Sequence, residues 1–91
     1  MAEDIPKERE IRLKRLLFRG RHMGTAENDA IFGGFADARL AGLNDDQLDR
    51  FEELLAENDS DLYNWISGLK EPPENRKTDV FKMIMDFKYQ L

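Results

Sequence analysis

Nowhere along the chain do apolar and polar residues alternate with the period of two that a half-buried strand requires. Apolar residues recur at three- and four-residue spacings instead, in segments separated by capping residues and glycines. The first segment predicts a helix from about Lys7 to Phe18, with Pro6 suited to a first helical position, where a missing N–H costs nothing. Ile11, Leu13, Leu16, Leu17 and Phe18 form its apolar side, wider than one narrow stripe. Arg19-Gly-Arg-His-Met-Gly24 breaks it, because two glycines in so short a span favour a turn. Thr25 then reads as an N-cap, with Glu27 and Asp29 in the first turn, where the helix dipole favours anions. This second helix runs to about Ala41. Gly33-Gly34 in its middle costs about 2 kcal/mol relative to alanine, which points to the close approach of another helix or to a kink.

Gly42 ends the second helix, and Asn44-Asp-Asp-Gln47 has the form of a capping box. The third helix carries Leu48, Phe51, Leu54 and Leu55. Asn58-Asp-Ser-Asp61 opens a short fourth helix with Leu62, Tyr63, Trp65 and Ile66, for which Gly68-Leu69 predicts a Schellman stop. Glu71-Pro-Pro-Glu-Asn75 lies in a loop expected over 70–77, and a last helix begins near Thr78 with Val80, Phe81, Ile84, Met85, Phe87 and Leu91. The expected architecture is all-α: a small bundle of about five short helices whose short connections make neighbours antiparallel. It forms one domain over 7–91, after a flexible stretch at 1–6.

With 91 residues and no cysteine, the fold must stand on packing alone. Thiol nucleophiles, disulfides and thiolate metal sites are excluded. The single histidine, His22, makes a zinc site a poor match, and neither Ser60 nor Ser67 sits in a Gly-x-Ser-x-Gly turn. No apolar run approaches the roughly 20 residues that span a bilayer. The N-terminus lacks the features of a signal or transit peptide, so the expected location is a bacterial cytoplasm, without membrane insertion. The net charge of −5 divides unevenly: residues 1–22 carry +3 and the rest −8. A basic arm on an acidic body suggests protein docking. Nucleic acid is disfavoured, because the body repels phosphate.

His22 is an acid–base group titrating near neutrality or an exposed turn residue. Glu27 is a dipole partner or a carboxylate aimed at a ligand from a glycine-flanked turn. Position decides neither. Tyr63, Trp65, Phe51 and Phe35 read as core, with Trp65 a contact anchor if only partly buried. No glycine-rich phosphate loop follows a strand, so no cofactor is expected to be tightly bound by this chain alone.

The chain resembles the small FAD assembly factors of succinate dehydrogenase, the SdhE family, whose motif Arg-Gly-x-x-Glu lies between the first two helices. Here that turn reads His22-Met-Gly-Thr-Ala-Glu27-Asn-Asp29, between Arg15-Leu-Leu-Phe-Arg19 and Phe35-Ala-Asp-Ala-Arg-Leu40. Asp61-Leu-Tyr-Asn-Trp-Ile66 matches the family's Asp-Leu-aromatic-x-Trp segment, and the likeness extends from about Glu8 to Leu69. Met23 stands where the motif has arginine, and Arg21 is the cation expected to compensate. The resemblance implies a non-enzymatic assembly factor that binds the flavoprotein subunit of succinate dehydrogenase or fumarate reductase. It would promote covalent attachment of FAD to that subunit. Arg15, Arg19, Arg21, His22, Met23, Gly24, Glu27 and Asp29 would form the partner-binding surface. The alternative is a generic interaction protein of antitoxin-like kind, and a small hydrolase using His22 and carboxylates ranks below it.

Overall fold

The structure, a computed structural model, describes residues 7–90. Pro6, Leu91 and the stretch expected to be flexible at 1–6 lie outside them. Five α-helices follow one another: α1 (Lys7–Arg21), α2 (Ala26–Arg39), α3 (Asp45–Leu55), α4 (Asp59–Ser67) and α5 (Asp79–Lys88). Short 3-10 turns at Leu40–Gly42 and Glu74–Arg76 join them, and the described residues contain no strand. The expected all-α bundle is the observed one.

The N-caps are those the sequence announces. Thr25 accepts from Asn28 N, Asn44 and Gln47 complete a reciprocal capping box, Asn58 accepts from Ser60 N and Asp61 N, and Thr78 accepts from Phe81 N. Each satisfies backbone donors that the first helical turn leaves unpaired. The core is gathered from every helix: Leu16 of α1, Phe32 and Phe35 of α2, Leu48, Phe51 and Leu54 of α3, Leu62 and Ile66 of α4, Val80 and Ile84 of α5. Burying each such side chain contributes about 1.5–3 kcal/mol. The Phe51 ring centroid lies 6.4 Å from that of Phe32 and 5.8 Å from that of Phe35, and Phe87 meets Phe35 edge-on at 5.9 Å.

The first helix is longer than its glycine suggests. Gly20 does not end α1; it lies inside the last turn and is buried. A Cβ there would sit 3.2 Å from Phe32 O and 3.6 Å from Ala36 Cβ, so the missing side chain is what lets α2 pass. Gly33 returns the contact, with Arg21 Cα 3.3 Å and Gly20 O 3.4 Å from the corresponding point. Further back along α1, Leu13 and Leu17 share a groove with Ala36, Leu40 and Ala41. Contacts that run backward on α1 and forward on α2 make the pair antiparallel. Gly34 faces the ring of Phe87 on α5. The glycine pair thus serves two close approaches at once.

Two further expectations change, at Tyr63 and at Leu69. Tyr63 is 39% exposed and outside the core, because Leu62, Trp65 and Ile66 take the inward face of α4. Trp65 is buried, as its reading as a core residue expects. Gly68 adopts the left-handed conformation (φ +84°) and its N–H reaches Trp65 O, as a Schellman stop requires. The second bond comes from Lys70 N to Asn64 O, and Leu69, 69% exposed, does not pack back.

Candidate functional site

The turn between α1 and α2 is held by its own residues. Gly24 has φ +116°, a region that L side chains rarely adopt. Thr25 is extended (φ −128°, ψ 152°), and its Oγ1 accepts from Asn28 N at 3.2 Å. Met23 N donates to Asp29 Oδ1, which folds the entering chain onto the first turn of α2. Asp29 is therefore a brace of the turn, and Met23 is half-buried against the core. Glu27, in the same helical turn, is exposed. Of the three residues Glu27-Asn28-Asp29, one points to solvent, one inward and one back to the turn, as spacing of about 100° per helical residue dictates.

Beside Glu27 lies α4. A shallow cleft of about 260 Å³ is lined by Thr25, Glu27, Asp59, Ser60, Tyr63 and Asn64. It carries two carboxylates, two hydroxyls and an amide against one aromatic face. The connection beneath it is Asn28, fully buried, whose Nδ2 donates to Asp59 O at 3.1 Å. Its Oδ1 has no hydrogen-bond partner among the described residues. Neither Asn28 nor the residues of the α4 wall are among those expected from sequence to meet a partner. The signals were there: Asn28, Phe32 and Phe35 share one face at helical spacing, and Tyr63 is out of phase with Leu62, Trp65 and Ile66.

The basic arm is largely spent inside the molecule. Arg9 donates to Leu43 O at 2.6 Å and to Asp45 Oδ1 at 3.0 Å; Arg12 donates to Asp49 Oδ1 at 2.6 Å and Glu52 Oε1 at 3.0 Å. Arg19 lies 3.6 Å from Glu52 Oε2. The positive side of α1 thus faces the negative side of α3. Arg15 is exposed and forms no ion pair among the described residues. Arg21 is paired with Asp37. Asp37 lies ten residues after Glu27, about 15 Å along α2 at 1.5 Å per residue. In this arrangement Arg21 does not supply the guanidinium that Met23 lacks, although an exposed pair of this kind, worth about 0–1 kcal/mol, is easily exchanged.

His22 closes α1. Its Nδ1–H donates to Phe18 O at 2.7 Å, and its ring stacks on Phe18 with centroids 4.0 Å apart. Phe18 is itself 62% exposed. Expected in the apolar side of α1, it instead forms an aromatic pair with His22 at the surface, near the site turn. Among the described residues no three His, Asp or Glu side chains converge as metal ligands, and no helix is long and apolar enough to cross a membrane. The candidate site thus combines an exposed carboxylate on a braced turn, a shallow polar cleft beside it and a stacked aromatic pair at the end of α1.

The profile of a family described as Sdh5, flavinator of succinate dehydrogenase, matches residues 14–88. A protein named succinate dehydrogenase assembly factor 2, mitochondrial, of Dictyostelium discoideum is 37% identical over 71 residues, covering 78% of this chain and 50% of that protein. Its namesake in Drosophila grimshawi is 33% identical over 76 residues, covering 81% of this chain and 52% of its own length. The FAD assembly factor SdhE of Acetobacter pasteurianus is 32% identical over 75 residues, covering 82% of this chain and 69% of its own. The chain spans about half the length of the mitochondrial relatives.

Proposed function

The chain belongs to the family of succinate dehydrogenase flavinators, and from that premise we propose that it is an assembly factor that promotes covalent attachment of FAD to the flavoprotein subunit of succinate dehydrogenase or of fumarate reductase. In this reading it binds the subunit, and the bond to the flavin forms within the subunit. FAD, in this reading, is the client's group.

The observation that carries the reading is Glu27: an exposed carboxylate at the motif position, on a turn whose neighbours are committed to holding it still. A partner that fits around a fixed group gains from positioning, which contributes several kcal/mol to a reaction carried out elsewhere. Gly24 supplies the positive φ that turns the chain just before Glu27. Arg15, Arg19 and the Phe18–His22 pair extend the contact along α1. The polar, mixed character of the surface fits a transient docking face better than an obligate one.

The test is co-expression with the flavoprotein subunit, followed by in-gel flavin fluorescence. The chain raises covalent flavin. Glu27→Ala lowers it at least about tenfold while changing stability by less than about 1 kcal/mol, the worth of a carboxylate in a first helical turn. Covalent flavin that is indifferent to removal of the whole chain overturns the reading.

A further inference from the structure

We propose that Asn28 is a positioning residue: its buried amide latches the start of α4 onto the Gly24–Glu27 turn, so that Glu27 and the Tyr63 face of α4 meet the partner as one surface. The inference deepens the function proposed above and rests on it for the identity of the partner.

Two independent contacts converge on Asp59. Asn28 Nδ2 donates to Asp59 O at 3.1 Å, across 31 residues of chain. On the other side of Glu27, the α-carbon of Gly24 lies so close to the Asp59 side chain that an added Cβ would stand 2.2 Å from Oδ2. The motif turn is thus bonded to the first residue of α4 just after the carboxylate it presents and lies close against the same residue's side chain before it. The cleft between Glu27 and Tyr63 exists because this joint sets the separation of its walls.

The energetics favour a directional role for the amide. Asn28 is fully buried and its Oδ1 finds no partner among the described residues. An unpaired buried acceptor costs about 1–3 kcal/mol, whereas an apolar side chain of similar shape fills the same space at little cost. Its one protein bond goes to a carbonyl that α4 itself pairs with the Tyr63 N–H. A hydrogen bond supplies what apolar packing does not, a defined distance and angle between two elements.

The test is a double-mutant cycle on affinity for the flavoprotein subunit, with hydrogen exchange on the free chain. Tyr63→Ala weakens binding about tenfold in the parent and less than about twofold in an Asn28→Leu background, because the two walls no longer act together. In the free Asn28→Leu chain, the Met23 and Asn28 amides, which bond to Asp29 and Thr25, exchange at least about tenfold faster, while the amides of Phe51 and Leu54 keep their protection. An equal effect of Tyr63→Ala in both backgrounds overturns the proposal, as does unchanged exchange at the turn. If Asn28→Leu does not fold, Asn28→Ala serves both comparisons. Failure of the parent to bind any flavoprotein subunit defeats the function proposed above; the exchange experiment then judges the latch by itself.

Discussion

Gly24 shows how a single position carries two constraints of different kinds. One is steric: the Asp59 carboxylate occupies the space a Cβ would take. The other is conformational, since φ is +116°. The carboxylate is the end of a side chain and can swing aside; the backbone cannot change without moving Glu27. Gly24→Ala is therefore expected to cost about 1–3 kcal/mol, read as a lower denaturant midpoint at unchanged slope. Adding Asp59→Ala recovers only part of it. Full recovery would place the whole cost in the contact and none in the backbone. Met23 is the other informative residue here. Where the family motif has a long cation, this chain has a thioether half-buried against the core, so the turn gains packing at the place where it loses charge.

Helix packing in this bundle is set by glycines that lie within helices, and they are not equivalent. At Gly33 an added Cβ meets the backbone of Arg21 and Gly20, neither of which can yield without separating α1 from α2. At Gly34 it meets the ring edge of Phe87 at 3.3 Å, and Phe87 is only partly buried on α5. Alanine in a helix interior is favoured over glycine by about 1 kcal/mol. Gly34→Ala is thus expected to change stability by less than about 1 kcal/mol in either direction, whereas Gly33→Ala loses about 1–3 kcal/mol to overpacking. Urea unfolding of the two variants side by side checks the contrast. Equal midpoints would mean that α1 and α2 leave room for a methyl group at Gly33. The same geometry accounts for the length of α1. Gly20 is helical because a partner helix fills the place where a turn was expected.

Across the whole molecule, charge is organised by the fold. Cations of α1 face acids of α3, Arg50 and Gln47 of α3 hold Asp79 at the start of α5, and Arg76 reaches back to Glu53 and Glu57. Lys88 Nζ donates to Ile66 O at 2.8 Å, where the dipole of α4 favours a cation. The hydrogen bond from Gln47, aided by the Val80 N–H and Arg50, holds the Asp79 carboxyl below its ordinary value of 3.8. Lys77 does the same for Glu71, whose ordinary value is 4.5. Both are depressed in the folded state, so the stability they contribute is complete above these ordinary values and drains away as pH falls through the depressed ones. Lys77 is raised above 10.5 by Glu71 and then Glu74, so its contribution holds below that value and is lost as pH rises past the raised one. Thermal midpoints should therefore fall as pH is lowered from 5 toward about 2, with a shallower slope in Asp79→Asn. An unchanged slope in that variant would remove Asp79 from the acid response.

Helix number, capping and the composition of the core follow from local chemistry. A side-chain oxygen before a periodic apolar run satisfies the same backbone donors whatever the helix packs against, and Thr25, Asn44, Asn58 and Thr78 all do so. The motif turn was legible for the same reason: Gly24, Glu27 and their neighbours are contiguous in sequence. What the sequence by itself did not determine is who meets whom at a distance. The length of α1 depends on α2 filling the space at Gly20. The placement of Tyr63 depends on which face of α4 the core claims. The fate of the basic arm depends on α3 lying alongside it. The second wall of the site depends on one amide bonding to a carbonyl 31 residues away. These are properties of pairs of elements, and only the tertiary structure brings the pairs together.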